Sequence, residues 1–191
     1  MTFEKEKKEC LARVDKSKKG CFDDRIVSLL NMINKLDDFF TTSSCSGRVL
    51  ILVTDEHRKK KDVQWAFSSH EPVDFEQVKQ SMSNLQEAEE VYFKFDAFIL
   101  HVAARSLDDA GIFLEACHKA GLKRAGIISF SPRFLIEVYA NLRLTVPVIR
   151  RGKLLVTNDY LETLVEISNG YFEKNFKYIE RLKKEISVGL P

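Results

Sequence analysis

The sequence lacks the features that mark several large protein classes. Its four cysteines, Cys10, Cys21, Cys45 and Cys117, include no C-x-x-C pair, and residues 1–9 are highly charged and show no signal-peptide pattern. No apolar run approaches the ~20 residues that a membrane span needs. From these absences we expect a reduced, cytoplasmic protein without a transmembrane segment.

The chain also lacks a strong charge of either sign and any linker rich in Pro, Gly or Ser. Thirty basic and 28 acidic side chains leave a net charge of only +2, so binding to nucleic acid would depend on local patches. A hydrophobic fraction of 45% in 191 residues is enough for one sizeable core. We therefore predict a single domain over residues 1–191.

Apolar periodicity and capping residues predict an alternation of helices and short strands. The predicted helices cover residues 24–40, 75–85 after a cap at Asp74, 107–120 between a cap at Ser106 and a stop at Gly121, and 157–186. The predicted strands cover residues 49–53, 63–67, 91–102 with an interruption near Asp96, 125–130 and 134–139. Residues 55–62 are too polar to be anything but a loop.

This order predicts an α+β (mixed α/β) fold in which helices cover a mixed, largely antiparallel sheet, rather than a regular βαβ alternation. No G-x-G-x-x-G follows the first strand, so a Rossmann-type phosphate loop is absent. Two strand–helix–strand stretches, from residue 49 to 102 and from residue 125 onward, are compatible with an internal duplication. No sequence repeat supports that duplication.

Residues 43–48, Ser-Ser-Cys-Ser-Gly-Arg, concentrate the polar chemistry of the chain at a predicted helix-to-strand junction. Backbone N–H groups and a guanidinium presented together can bind an anion. A tight turn, in which Gly47 supplies an unusual φ and the serines satisfy local backbone groups, explains the composition equally well. Arg48 favours the binding hypothesis, because a charge at the start of an apolar strand needs a partner or a ligand.

Two histidines stand at positions where a base could act. His70 ends a predicted strand and could face a cleft, although a surface turn histidine is an equal alternative. His101 lies within an apolar strand, where a histidine is more often a core residue with satisfied nitrogens. Cys45 would need a nearby imidazole and an oxyanion site to act as a nucleophile. The histidines and cysteines have no metal-ligand spacing, so we predict no metal site.

Basic clusters and aromatic side chains offer a second kind of candidate contact. The basic clusters are residues 16–19, 57–61 and 150–153, which would contact phosphates if their loops shared a face. Trp65, Phe67 and Phe98 could stack on a base, although aromatic residues in strands belong first to the core. Gly126, Ser129 and Arg133 repeat the combination of glycine, hydroxyl and arginine seen at residues 43–48.

Together these segments resemble the tRNA wybutosine-synthesizing protein family, in particular its N4-methylating member, the third enzyme of that pathway. The resemblance spans nearly the whole chain in order, and its most specific part is the run Phe-Phe-Thr-Thr-Ser-Ser-Cys-Ser-Gly-Arg. The matching segments are residues 16–20, 39–48, Trp65 with 69–70, 94–95 with 98–102, 126–127 and 152–157.

The resemblance implies an S-adenosylmethionine-dependent methyltransferase with a fold unlike the common Rossmann-type methyltransferases. The implied substrate is N4 of the demethylwyosine-type guanosine at position 37, in the anticodon loop of phenylalanine tRNA. Methyl transfer to a ring nitrogen requires alignment and loss of a proton, and it requires no enzyme nucleophile. Cys45 then has no covalent role.

The chemistry of methyl transfer leads to a hypothesis about the roles of individual residues. His70 and His101 are the candidate proton acceptors, and residues 44–48 with Arg133 would bind the amino-acid end of the cofactor or a tRNA phosphate. The full cofactor set is Ser44, Ser46, Gly47, Arg48, Gly126, Ser129 and Arg133, and the substrate set is Lys18, Lys19, Trp65, Lys94 and Phe98. The family pattern has Glu-Pro where this chain has Asp96-Ala97, which puts a substrate role for Asp96 in doubt.

Two other functions remain open from the residues alone. A non-catalytic RNA-binding module would use the same basic loops and aromatic residues and would not bind S-adenosylmethionine. A cysteine-dependent hydrolase would depend on Cys45 and would form an adduct there with an electrophile.

Overall fold

A computed structural model describes residues 2–12, 23–54 and 64–190 of the chain. These ranges contain five helices and seven strands. The helices are α1 (Phe3–Leu11), α2 (Asp24–Lys35), α3 (Phe75–Met82), α4 (Leu107–Lys119) and α5 (Asn158–Gly189). The strands are β1 (Phe39–Thr54), β2 (Gln64–Ser69), β3 (Glu90–Ala104), β4 (Gly126–Ser129), β5 (Phe134–Tyr139), β6 (Arg143–Arg150) and β7 (Lys153–Leu154).

The strands form one sheet in the order β2-β1-β3-β5-β4, with β6 pairing to β3 and β7 to β6. The pairs β1/β2, β3/β5, β3/β6, β4/β5 and β6/β7 are antiparallel. With helices and an antiparallel sheet in one chain, the predicted α+β class is confirmed. These antiparallel pairs among the described strands also agree with the predicted non-Rossmann fold.

The chain divides into two compact groups of residues. The first group comprises residues 1–46, 98–141 and 175–191, and the second comprises residues 47–97 and 142–174. We call them unit 1 and unit 2. Strands β1 and β3 and helix α5 contribute residues to both units. The single domain over residues 1–191 stays a prediction.

The helix starts predicted from capping residues are confirmed. Asp74 and Ser106 each accept a hydrogen bond from the backbone N–H three residues later, and each forms a full capping box with the side chain at that position. At the end of α4, Gly121 takes a φ of 91° and the Leu122 N–H donates to the Cys117 carbonyl at 2.9 Å. Glycine suits this left-handed position because it has no Cβ.

Helix α5 is also as predicted, and two asparagines fix it in place. Its inward residues, Leu161, Leu164, Val165, Phe172, Ile179 and Leu182, are all buried. In unit 2, the Asn169 side chain accepts from the Val73 N–H and donates to the Val73 carbonyl, at 3.0 and 2.8 Å. In unit 1, the buried Asn175 amide accepts from the Phe98 N–H at 2.8 Å and donates to the Ser46 carbonyl at 2.7 Å.

The predicted helix over residues 24–40 is too long, and the predicted turn at residues 43–48 is wrong. Helix α2 ends at Lys35, and Leu36 already has extended backbone angles. The side-chain oxygen of Asn34 accepts from the Thr41 N–H at 2.8 Å, which stabilises the change of direction into β1. Residues 43–48 then lie inside the 16-residue strand β1, where Gly47 has a φ of 100° that other residues rarely adopt.

Helix α1 and strands β6 and β7 were not predicted, and strand β3 lacks the predicted interruption. Helix α1 has no buried residue, so it shows no apolar stripe, although Phe3 packs on Phe40 with ring centroids 5.1 Å apart. Strand β6 contains Pro147, which argues against a strand, and β7 has only two residues. Strand β3 is continuous through Asp96, where its pairing partner changes from β6 to β5.

Candidate active site

Strand β1 places the residues of the 43–48 segment in different surroundings. Ser46 is fully buried, its N–H and hydroxyl donate to one Asp23 carboxylate oxygen at 3.0 and 3.1 Å, and its carbonyl accepts from Asn175. All polar groups of Ser46 are therefore bonded within unit 1. This corrects its predicted role in cofactor binding, because a ligand cannot reach a buried hydroxyl that already has a partner.

In unit 2, Gly47, Arg48, Trp65 and His70 form a hydrogen-bonded and stacked group. The Arg48 guanidinium carbon lies 4.3 Å from the centroid of the Trp65 ring, a cation–π geometry. Trp65 keeps 39% of its surface exposed. We call these four residues the tryptophan cluster. It presents a positive charge on an aromatic ring that is still accessible to a ligand.

The tryptophan cluster also fixes the tautomer of His70. Its Nδ1 lies 2.9 Å from the Gly47 carbonyl oxygen. Because a carbonyl only accepts hydrogen bonds, Nδ1 carries a proton, and Nε2 of the neutral ring carries the lone pair.

In unit 1, Ser43, His101 and Glu137 form a chain of hydrogen bonds across three strands. Ser43 Oγ lies 2.7 Å from His101 Nδ1, and His101 Nε2 lies 3.1 Å from a Glu137 carboxylate oxygen. His101 and Glu137 face each other directly in the β3/β5 register. The side chains of His101 and Glu137 are 25% and 31% exposed, so His101 is not a core residue.

Three of the predicted cofactor-binding side chains carry buried polar atoms without a hydrogen-bond partner in the described part of the chain. These atoms are Ser44 Oγ and Arg133 Nε in unit 1 and Arg48 Nε in unit 2. An unpaired buried polar group is costly, and such groups often belong to ligand sites. The Arg133 guanidinium is otherwise engaged by an ion pair with Glu6 of α1.

The remaining predicted cofactor residues belong to the β4/β5 hairpin of unit 1. Gly126 opens β4, and a Cβ at this position would meet no atom within 4 Å, so packing does not require glycine here. The Ser129 hydroxyl donates to the Ser131 carbonyl at 3.0 Å in the turn that follows. Neither residue is fully buried, so both are reachable from solvent.

The predicted substrate residues have different outcomes. Lys94 is half-buried and forms an ion pair with Asp96 at 3.3 Å. Asp96, which stands where the family pattern has Glu, therefore has a partner within the chain, and the charge of Lys94 is partly neutralised. The Phe98 ring is fully buried, so its predicted stacking on a base is wrong. Lys18, Lys19 and the basic cluster at residues 57–61 lie outside the described residues.

The sequence as a whole matches one family model. The model described as "Methyltransferase TYW3" covers residues 5–188. The chain belongs to this family.

Curated and solved relatives agree with the family assignment. A "tRNA wybutosine-synthesizing protein 3 homolog" from Danio rerio is 33% identical over 99% of this chain and 76% of its own length. The "tRNA(Phe) 7-((3-amino-3-carboxypropyl)-4-demethylwyosine(37)-N(4))-methyltransferase 1" of Pyrococcus furiosus is 32% identical over 97% of this chain and 95% of its own. The PH1069 structure from Pyrococcus horikoshii aligns with a TM-score of 0.88 at 30% identity, covering 97% and 96% of the two chains.

Membership in the TYW3 family makes the chain a methyltransferase, as the resemblance implied. It thereby decides against the non-catalytic RNA-binding module and the cysteine-dependent hydrolase. No helix among the described residues is long and apolar enough to cross a membrane.

In this TYW3 member, two residues outside the predicted site, Ser43 and Glu137, contact the predicted His101. Ser43 belongs to the segment that was singled out but not to the predicted site. Glu137 had a visible signal, because it is the only charged residue in the apolar strand Phe134–Tyr139. Its contact with His101 depends on the pairing of β3 with β5, which the sequence does not reveal.

Unit 2 of the methyltransferase also contains a mostly apolar cavity of about 280 Å³. Met82, Ile149, Gly152, Leu154 and Leu161 contribute to its wall, so it lies against α3, the β6/β7 hairpin and the start of α5. No predicted site residue lines it. The candidate site residues of unit 2 and this cavity therefore lie in different places.

Proposed function

We propose that this TYW3 family member transfers a methyl group from S-adenosylmethionine to N4 of a 4-demethylwyosine-type guanosine at position 37 of phenylalanine tRNA, in its anticodon loop. The names of the Pyrococcus furiosus and Thermococcus sibiricus relatives state this position and this nitrogen for those proteins. The observation that carries the proposal is the hydrogen-bonded chain Ser43–His101–Glu137 of unit 1, which supplies a held histidine as a proton acceptor. A cytoplasmic location stays a prediction.

The residues proposed to hold the methyl donor suit its amino-acid end. In unit 1, Arg133 Nε is a donor for a carboxylate and Ser44 Oγ is an acceptor for an ammonium group, and neither atom has a hydrogen-bond partner in the described chain. In unit 2, Arg48 Nε is a further donor without such a partner. Gly47, Gly126 and Ser129 complete the proposed set, from which Ser46 is removed because of its burial. When bound, the donor would supply a methyl group on a sulfonium sulfur. The substrate nitrogen can take this methyl group directly, without an enzyme nucleophile.

The tRNA contacts are proposed at Trp65 and Lys94, together with Lys18 and Lys19. The exposed part of the Trp65 ring can stack on a base, and base–aromatic stacking is worth about 1–3 kcal/mol. Arg48 beneath the ring adds a positive charge that favours a nucleotide. Lys94 contributes less to phosphate binding than a free lysine would, because Asp96 is its partner.

The proposed catalytic residues are His70 and His101, which would take up the proton that the methylated nitrogen loses. Each histidine is held by hydrogen bonds to neighbouring strands or loops. General base catalysis by a positioned histidine typically contributes about 10²–10⁴ in rate. Replacing either histidine with glutamine preserves size and hydrogen bonding while removing the base.

Mass spectrometry of tRNA nucleosides tests the proposed function. Phenylalanine tRNA carrying the demethylated tricyclic base is incubated with the protein and S-adenosylmethionine and then digested. We expect the tricyclic nucleoside to gain one methyl group. Unchanged nucleoside, with both tRNA and donor shown to bind by calorimetry, would mean that the substrate or the modified atom is wrong.

A further inference from the structure

We infer that Ser43, His101 and Glu137 form a proton relay in which the Ser43 hydroxyl, rather than a histidine, contacts the reacting nitrogen of the substrate. This inference rests on the proposed function and deepens it. It assigns a catalytic residue, Ser43, and a positioning residue, Glu137, that sequence analysis did not include in the site.

The direction of each hydrogen bond follows from the chemistry of Glu137. An ionised carboxylate only accepts, so His101 Nε2, at 3.1 Å from it, carries a proton. The neutral imidazole then has its lone pair on Nδ1, and the Ser43 hydroxyl, at 2.7 Å, donates its hydrogen to that atom. One residue, Glu137, thereby orients the whole chain.

The Ser43 oxygen is left with its lone pairs for a further hydrogen bond. A hydroxyl has one donor and two acceptor positions, and the donor is used by His101. Ser43 is exposed, so a ligand can approach its oxygen from solvent. An acceptor in this position can receive the N–H of a ring nitrogen, whereas both nitrogens of His101 already have partners.

The proton steps balance along the chain. As the substrate nitrogen gains its methyl group, its N–H bond breaks and an O–H bond forms on Ser43; the original Ser43 O–H breaks and an N–H forms on His101 Nδ1. The electron pair of the broken N–H bond stays on the substrate nitrogen and cancels the positive charge that methylation created. The resulting imidazolium lies beside the Glu137 carboxylate and later releases its proton to water.

The spatial arrangement supports a functional rather than a packing role for the three residues. They lie on β1, β3 and β5, where the pleat holds side chains at fixed positions relative to neighbouring strands. None of the three is buried, so the fold does not need them to satisfy hidden polar groups. A catalytic chain built on strands is held more precisely than one on loops.

Steady-state methyl transfer with matched variants tests the relay. We expect Ser43→Ala to lower kcat by about 100-fold or more while KM for tRNA changes little, and Ser43→Thr to recover most of kcat because it keeps a hydroxyl. Glu137→Gln lowers kcat in the same direction. Ser187→Ala and Glu115→Gln, exposed changes in the same unit, serve as controls with wild-type rates.

A second readout is independent of activity. In ¹⁵N NMR spectra of the protein without ligands, we expect His101 to be the tautomer protonated on Nε2, and Glu137→Gln to weaken that preference. Wild-type kcat in Ser43→Ala, or a His101 protonated on Nδ1, would overturn the relay. If wild-type protein transfers no methyl group at all, the proposed function fails, while the tautomer measurement still decides whether the hydrogen-bond chain exists.

His70 supplies the alternative outcome. If the Ser43, His101 and Glu137 variants keep wild-type kcat and His70→Gln alone loses it, proton removal belongs to the tryptophan cluster. That result would overturn the relay and leave the proposed methylation intact. Thermal melts identify variants that fail to fold. If Ser43→Ala is one of them, the kcat values of Ser43→Thr and Glu137→Gln decide the test.

Discussion

Arg48 shows how much chemistry one side chain brings to unit 2. Its guanidinium stacks on Trp65, yet its Nε is buried without a partner within the described chain. Stacking orients the planar fork, and the unpaired N–H leaves a donor for an anion. A charge beside an apolar run makes Arg48 conspicuous in the sequence, but its stacking on Trp65, 17 residues later, depends on tertiary structure.

We predict that Arg48→Ala weakens binding of the methyl donor by about 10- to 100-fold, because a hydrogen bond to a charged group is worth about 1.5–3 kcal/mol. Arg48→Lys should restore little, since an ammonium group has neither the Nε donor nor the planar fork. Calorimetry with S-adenosylmethionine measures both effects. Arg143→Ala, an exposed arginine of unit 2, is the control, and equal affinity of Arg48→Ala and this control would remove Arg48 from the donor site.

Cys117 provides a chemical test of burial in α4. Burial raises the pKa of its thiol to about 12, so the reactive thiolate is nearly absent at pH 8. We expect alkylating reagents to leave Cys117 unmodified in the native protein and to modify it after denaturation. Peptide mass spectrometry distinguishes it from the half-buried Cys10 and Cys45. Modification of Cys117 at the same native rate as Cys10 would contradict the packing of α4.

At the scale of elements, two glycines differ in whether the structure requires them. Gly152, in the β6/β7 hairpin, has a φ of 69°, and a Cβ there would lie 2.8 Å from the Gln86 carbonyl oxygen. Gly111, within α4, has no atom within 4 Å of its hypothetical Cβ. One glycine is required by its backbone and its neighbour, whereas the other only weakens a helix.

We therefore predict opposite effects for two Gly→Ala changes. Gly152→Ala lowers the free energy of unfolding by at least about 1–2 kcal/mol, because the left-handed conformation is unfavourable for alanine and the carbonyl must move. Gly111→Ala raises it by about 0.5–1 kcal/mol. Chemical denaturation of both variants measures the difference. A Gly152→Ala protein as stable as wild type would show that the hairpin does not hold this conformation.

Asn175 gives the corresponding test for α5. Asn175→Ala leaves the Phe98 N–H and the Ser46 carbonyl without their partner in a buried environment. Each unpaired group costs about 1–3 kcal/mol, so we expect a loss of about 2–6 kcal/mol of unfolding free energy. Asn158→Ala, at the exposed start of α5, is the comparison and should lose much less. Similar losses in the two variants would argue against the buried hydrogen bonds.

The elements that sequence analysis placed correctly have local signals, and the others depend on tertiary contacts. Capping boxes at Asp74 and Ser106 and the apolar stripe of α5 are readable within one turn or one face. The end of α2 depends on a contact between Asn34 and Thr41, so apolar periodicity alone extended the helix too far. Phe98 was a candidate stacking residue because strand alternation does not tell which face of the sheet is buried, and its ring is fully buried.

At the scale of the whole molecule, the balance of charge restricts how tRNA can bind. A net charge of +2 provides little general attraction, so affinity has to come from a few local contacts and from stacking. Site residues come from segments far apart in sequence, such as Ser43, His101 and Glu137, because β1, β3 and β5 are neighbours in the sheet. That proximity could not be derived from sequence spacing.

We predict that Trp65→Ala lowers tRNA affinity by roughly 5- to 150-fold at every salt concentration, which corresponds to the about 1–3 kcal/mol of one stacked base. The slope of affinity against salt should stay unchanged, since no phosphate contact is lost. Filter binding over a salt series measures both quantities. Tyr160→Ala, an aromatic residue of similar exposure, is the control. If Trp65→Ala instead changed the slope of affinity against salt, Trp65 would act on phosphate contacts and not by stacking on a base.

Isotope transfer to position 37 tests the central claim most directly. Phenylalanine tRNA with the demethylated tricyclic base is incubated with the protein and S-adenosylmethionine carrying a deuterated methyl group, and the nucleosides are analysed by mass spectrometry. We expect one labelled methyl group on N4 of the tricyclic base and none on other nucleosides. Absence of label from that base, with donor and tRNA both bound, or label on a different nucleoside, would contradict the assignment.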